Sequence, residues 1–190
     1  MSRSEVSKSP TLELPPPPPQ TQSQSGAGTA SVDAVSNADC PDCCKETGIQ
    51  MIPFNLPGKG ATYLNESFAP KVQAFIDNAK KENVDLEFIS GYRTQNQQTG
   101  LPGTTKYPVA ENSLHSCGCA VDVKDYADLP AEQQRIIRKA AEDAGLEWGG
   151  SFKDPPHFFD KDLPFNDDPH RINRKKAIQC AKQQLNNIKK

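Results

Sequence analysis

A chain of 190 residues has room for one ordinary domain and a tail, and an apolar share of 35% with a mean hydropathy of −0.71 excludes packing of its whole length into a core. A net charge of −2 and a pI near 5.9 argue against nucleic acid as a partner, because phosphates demand a basic surface. No apolar run is long enough to span a bilayer, and Met1-Ser-Arg-Ser-Glu lacks the apolar stretch of a secretory signal, so cytoplasmic synthesis without membrane insertion is expected.

Residues 1–38 are rich in Ser, Thr, Gln, Ala and Gly and contain the run Pro15 to Pro19, too little apolar side chain to offset ordering entropy. A disordered tail is predicted, stiff at the prolines and flexible elsewhere, suited to tethering or delivery. Residues 39–69 read as a Cys-containing, loop-rich entry segment, with Ile52, Phe54, Leu56 and Tyr63 among turn-forming Pro and Gly. From Pro70, Val72, Phe75, Ile76 and Ala79 recur at helical spacing and predict an amphipathic helix over 70–83. Val84, Leu86, Phe88 and Ser90 then alternate with Asp85, Glu87 and Ile89, a one-sided strand that delivers Gly91, Tyr92 and Arg93 at its exit.

Gly100, Pro102, Gly103 and Pro108 predict a long loop over 100–114. Ala120 to Val123 predict a buried strand in which Val121 and Val123 face one way and Asp122 the other. Pro130 opens a second helix with an apolar stripe of Ile136, Ile137, Ala140, Ala141 and Ala144, and Gly145 is its expected stop. A short strand through Trp148 follows, and Pro155 and Pro156 are expected to hold the approach to His157 extended. The main domain is thus read as 70–165. Residues 166–190 read as a basic helix whose His170, Arg171, Arg174, Lys175 and Lys176 form a solvated face, with attraction to anionic polymers as the minor alternative. The expected fold is a single α+β domain, an antiparallel sheet flanked by helices.

Cysteines stand at 40, 43, 44, 117, 119 and 180. Cytoplasmic synthesis favours free thiols and export would permit bridges, so both states stay open. The Cys40-x-x-Cys43-Cys44 group has no second pair at zinc-ribbon spacing, which favours disulfides or free thiols over a structural zinc. By strand parity Cys119 belongs with the valine face, buried and inert.

Only three histidines occur, and two sit in constrained segments: Ser113-Leu-His115-Ser-Cys-Gly-Cys-Ala-Val-Asp122 and Asp154-Pro-Pro-His157-Phe158. His115, Asp122 and His157 supply two imidazoles and one carboxylate, which leaves the fourth position of a tetrahedral zinc to water, as in hydrolytic rather than structural sites. A further carboxylate must move the proton from water to the leaving amine. Asp154, three residues before His157 on a proline-stiffened backbone, is the candidate; Glu147, in the strand before it, reads as an ordinary solvated residue.

These segments, with Ser90-Gly91-Tyr92-Arg93 and Trp148-Gly149-Gly150, resemble over residues 70 to 160 the zinc D,D-carboxypeptidases and L-alanyl-D-glutamate endopeptidases, which include vancomycin-resistance (VanY-like) peptidases and phage endolysins. The resemblance implies His115, Asp122 and His157 as zinc ligands, Asp154 as acid/base, Arg93 as the cation stabilising substrate or developing oxyanion, and Ser113 as a substrate-positioning residue. Asp-x-x-His-Phe looks more like the endopeptidase branch than the Glu-x-x-His of the carboxypeptidases. Two features depart from that branch: a short link from Gly150 to Asp154, and Phe159 where a polar residue often follows His-Phe.

The resemblance implies a zinc metallopeptidase acting on peptidoglycan stem peptides, as an L-alanyl-D-glutamate endopeptidase or a D-alanyl-D-alanine carboxypeptidase. Hedgehog-type domains share the fold and ligand set, so a zinc-containing binding module without catalysis is the rival class. Delivery to the wall without a signal peptide implies phage-style lysis or injection as an antibacterial effector, with a secretion apparatus or an immunity protein as partner; the expected state is a monomer.

Overall fold

A computed structural model describes residues 43–100, 112–163 and 172–188. The expected tail over 1–38, most of the loop over 100–114, and His170 lie outside these residues.

A short helix, α1 (Cys43–Thr47), leads into a β-hairpin of β1 (Met51–Leu56) and β2 (Gly60–Asn65), registered from Met51 opposite Asn65 to Leu56 opposite Gly60. This hairpin occupies the segment expected to be loop. Its strands alternate only weakly and its tip is Pro57-Gly58-Lys59, so the sequence shows turn chemistry while the strands hide between turn residues.

Helix α2 (Ala69–Lys81) has Pro70 in its first turn and buries Ala69, Val72, Phe75 and Ala79 along the face the spacing requires. Leu86, Phe88 and Ser90 are buried between exposed Asp85, Glu87 and Ile89, as the alternation predicts, but strand β3 is only Phe88–Ser90. The shortening has a physical cause: the Phe88 amide donates to the Pro57 carbonyl of the hairpin tip (2.8 Å), and a register shift separates Phe88 from Ser90. Helix α3 (Gln95–Thr99) follows, opened by a Thr94/Gln97 capping box.

A 3₁₀ turn (Leu114–Cys117) precedes β4 (Ala120–Val123), and a second one (Tyr126–Asp128) leads to α4 (Ala131–Asp143). Of the predicted α4 stripe, Ile137, Ala140 and Ala141 are buried while Ile136 and Ala144 are partly exposed. β5 (Leu146–Trp148), a third 3₁₀ turn (Gly149–Phe152), β6 (His157–Asp160) and α5 (Ile172–Ile188) complete the order. Pro155 and Pro156 do not extend the chain: the His157 amide donates to the Asp154 carbonyl (3.1 Å), closing a turn across them.

The fold is α+β, with the hairpin and a four-stranded antiparallel sheet ordered β3-β4-β6-β5. Two apolar clusters flank β4. Phe68, Val72, Phe75, Phe88, Val121, Tyr126, Ile137 and Phe158 build the first between α2, α4 and the sheet, with Phe75 in ring contact with both Phe88 and Phe158. The second joins Leu114, Cys117, Ala120 and Phe159 to Ala177, Cys180, Ala181 and Leu185 of α5. α5 is therefore an amphipathic packing helix rather than only a solvated basic face. Its Gln184 side chain accepts from the Met51 amide and donates to the Ile49 carbonyl, both at 2.7 Å, and Cys44 and Cys180 form a disulfide. Cys117 and Cys119 are free and buried; Cys119 packs in this second cluster, not with Val121 and Val123, because it precedes the strand and its parity does not apply. No helix among the described residues is long and apolar enough to cross a membrane.

Candidate metal centre

Strand register assembles most of the site. Asp122 of β4 lies opposite Ser90 of β3 on one side and His157 of β6 on the other, so one cross-strand row carries a ligand pair. His115 arrives from the 3₁₀ turn before β4. The Ser113 hydroxyl caps this turn by accepting the His115 amide (3.3 Å), and Gly118 ends it with φ +70°, reversing the chain so that His115 and Asp122 meet across seven residues.

His115 Nε2, Asp122 Oδ1 and His157 Nδ1 form a triangle with all three sides 3.1 Å. A tetrahedral zinc with nitrogen and oxygen ligands at roughly 2.0–2.1 Å has ligand–ligand edges of about 3.3 Å, so this triangle matches one face of it. The tautomer argues the same way. His115 Nδ1 lies 2.7 Å from the Gly91 carbonyl, which can only accept, so the proton of a neutral ring sits on Nδ1 and the Nε2 lone pair points at the Asp122 carboxylate. Two facing lone pairs repel unless a cation lies between them.

Burial pushes His115 below the ordinary histidine range, against the pull of Asp122, and keeps it neutral. Burial alone would push the Asp122 carboxyl up, but His115 and His157, where protonated, outweigh it through charge and hydrogen bonding and hold the group well below the usual carboxylate range. A neutral imidazole and an ionised carboxylate are the forms that bind a metal. All three side chains are buried, and the His-Asp-His set is able to hold a metal ion.

Around the ligands, Arg93 donates from Nη2 to Asp122 Oδ2 (3.1 Å), leaving Oδ1 to the triangle. Arg93 is thus joined to a ligand carboxylate. Asp154 is half-exposed, with Oδ2 4.0 Å from His157 Nδ1. Burial and the Asp122 charge push its carboxyl up, while His157, His115 and Arg93 pull it down, with a net upward shift. Its backbone is held by donation to the Gly149 carbonyl (3.1 Å), and Trp148 Nε1 donates to the Pro155 carbonyl (2.7 Å). Ser113 is buried as the turn cap, and Glu147 lies exposed on β5 opposite Phe159.

Residue-by-residue reading of the sequence left Gly91 and Ser90 without a role. The Gly91 carbonyl sets the His115 tautomer, and Ser90 Oγ lies 3.4 Å from the same Nδ1. A side chain at Gly91 would meet Thr62 Oγ1 at 2.9 Å and Leu56 Cδ1 at 3.0 Å, so the close approach of the hairpin requires glycine. The Ser-Gly-Tyr-Arg segment carried that signal, but an invisible carbonyl did the work.

The α+β frame and the buried two-imidazole, one-carboxylate set define a single-metal site with the donor chemistry of zinc hydrolases. Residues 108–159 match the family model of D-alanyl-D-alanine carboxypeptidase, the M15 zinc peptidases, in agreement with the VanY-like resemblance. The matched segment contains Ser113, all three ligands and Asp154; Arg93 lies before it. The matched family is one of zinc-dependent peptidases, and the His-Asp-His set lies inside the matched segment. No curated protein matches the chain.

Proposed function

We propose that this chain is a zinc-dependent peptidoglycan hydrolase that cleaves a stem-peptide amide bond as an L-alanyl-D-glutamate endopeptidase. The observation that carries the hydrolase reading is the 3.1 Å triangle of His115 Nε2, Asp122 Oδ1 and His157 Nδ1, with the His115 tautomer fixed by Gly91. Zinc held there would supply Lewis acidity that activates water and polarises the scissile carbonyl. Asp154, close to the ligands yet half-exposed, takes the proton from water and passes it to the leaving amine. Arg93, already at the site through Asp122, offers its guanidinium to the carbonyl oxygen as negative charge develops. Ser113 acts on substrate through the turn it caps, by fixing the position of His115.

A second reading, D-alanyl-D-alanine carboxypeptidase, is favoured by the description of the matched family; Asp rather than Glu three residues before His157 favours the endopeptidase. The Cys44–Cys180 disulfide supports action in an oxidising space such as the periplasm or cell wall, reached by lysis or as an injected antibacterial effector.

The test is incubation of the purified protein with muropeptides, with and without chelator, and product identification by mass spectrometry. Muramyl fragments ending in a free L-alanine carboxyl, with released peptides that begin at D-glutamate, support the endopeptidase. Loss of one terminal D-alanine moves the assignment to the carboxypeptidase. Stoichiometric zinc with no cleavage overturns the enzyme in favour of a binding module.

A further inference from the structure

Among the described residues three large apolar side chains are exposed: Ile89, Phe152 and Ile188. Ile89 belongs to the edge strand β3 and Ile188 to the end of α5. Phe152 is different because it adjoins a metal ligand. Its ring makes an edge contact with the His157 imidazole (centroids 5.9 Å) and a tilted one with Phe159 (5.8 Å), yet 53% of the residue faces solvent.

The placement is built rather than incidental. Phe152 closes the 3₁₀ turn after β5, and the turn folds its ring back over Gly149: a side chain at Gly149 would come within 2.9 Å of Phe152 Cζ and of His157 Cβ. Lys153 then takes φ +68°, a conformation a lysine rarely adopts, and so separates the ring from Asp154, which turns toward His157. Two neighbours of one ligand thus come from three consecutive residues: an apolar surface and a carboxylate. An aromatic ring seated on protein on one side and on solvent on the other favours an apolar group that arrives with substrate.

We propose that Phe152 is a specificity-determining residue that packs the alanine methyl on the carbonyl side of the scissile amide. This rests on the peptidase reading above; both candidate bonds present an alanine carbonyl, L in one and D in the other, so the test peptides carry the configuration that the wild type cuts. It also accounts for Phe159, which stands where a polar residue was expected: it backs the Phe152 ring from β6.

The experiment compares wild type, Phe152→Ala and Phe152→Leu on two synthetic stem peptides that differ only by alanine or glycine on the carbonyl side of the bond the wild type cuts. Zinc content and melting temperature are measured on each protein. Wild type should prefer alanine by roughly tenfold or more in kcat/KM, the scale of one methyl in an apolar site. Phe152→Ala should bind zinc at unchanged stoichiometry, lose most of that preference and raise KM on the alanine peptide, while Phe152→Leu restores part of the preference. Equal losses on both peptides, or loss of zinc from Phe152→Ala, would overturn the inference and make Phe152 a support for His157. If Phe152→Ala does not fold, a preference in Phe152→Leu equal to wild type overturns it. Failure of the wild type to cut either peptide sinks the peptidase reading itself, which separates the two claims.

Discussion

At the residue scale the site divides by what each side chain touches. His115→Ala removes a corner of the ligand triangle and should abolish stoichiometric zinc binding together with activity, as read by elemental analysis and muropeptide turnover. Asp154→Asn should keep zinc and lower kcat by about 10²–10⁴-fold, the usual contribution of a positioned acid/base group. The same variant has a pH signature in the chelated protein. Burial raises the Asp154 carboxyl in the folded state, so the native protein binds the proton more tightly than the unfolded chain, and ionisation at neutral pH costs stability. Asp154→Asn should therefore melt slightly higher than wild type at pH 7, with the difference vanishing as the pH falls below about 3.9, the ordinary aspartate value. A gain that persists in acid would assign the effect to something other than this carboxyl. His115, Asp122, His157 and Asp154 could be picked out from the sequence because imidazoles are scarce in this chain and the carboxylates stand beside them in ordered motifs. The Gly91 carbonyl could not, because every residue carries one.

At the scale of elements, the 3₁₀ turn over Leu114–Cys117 is the part on which His115 depends. Gly118 ends it at φ +70°, and a side chain there would lie 2.7 Å from Met51 Cε and 2.9 Å from the Asn65 amide. Gly118→Ala should thus cost about 1–3 kcal/mol in a urea titration and weaken zinc binding, because the hairpin must move away from the turn. Gly60→Ala is the control: its φ is +81° but no atom lies within 4 Å, so only the backbone cost of about 1 kcal/mol remains and zinc affinity should not change. Periodicity made α2 and α4 readable, since each must turn one apolar stripe to the same core. The hairpin was not readable, because a strand pair that mixes partly buried residues with Pro and Gly looks like loop until its partner is known.

For the whole molecule, Cys44 and Cys180 join α1 to α5 across 136 residues. Closing so long a loop restricts the unfolded chain, and Cys44→Ser or full reduction should lower stability by about 3–5 kcal/mol, measured by denaturant unfolding with and without reductant. Gln184 and the buried face of α5 still hold the helix, so the reduced protein should fold and keep its zinc; unchanged stability on reduction would show that the bridge adds nothing. The two packed helices, the buried strand carrying Asp122 and the three side chains that converge at the candidate metal centre were legible in the sequence, because each rests on local spacing or on scarce chemistry. Tertiary structure alone decided that α5 completes a second core, that Cys44 pairs with Cys180, that Arg93 lies on Asp122, and that Phe152 stands beside His157. The first three are contacts between distant segments, which local spacing cannot encode, and the last depends on a 3₁₀ turn and a left-handed Lys153 that no residue pattern announces.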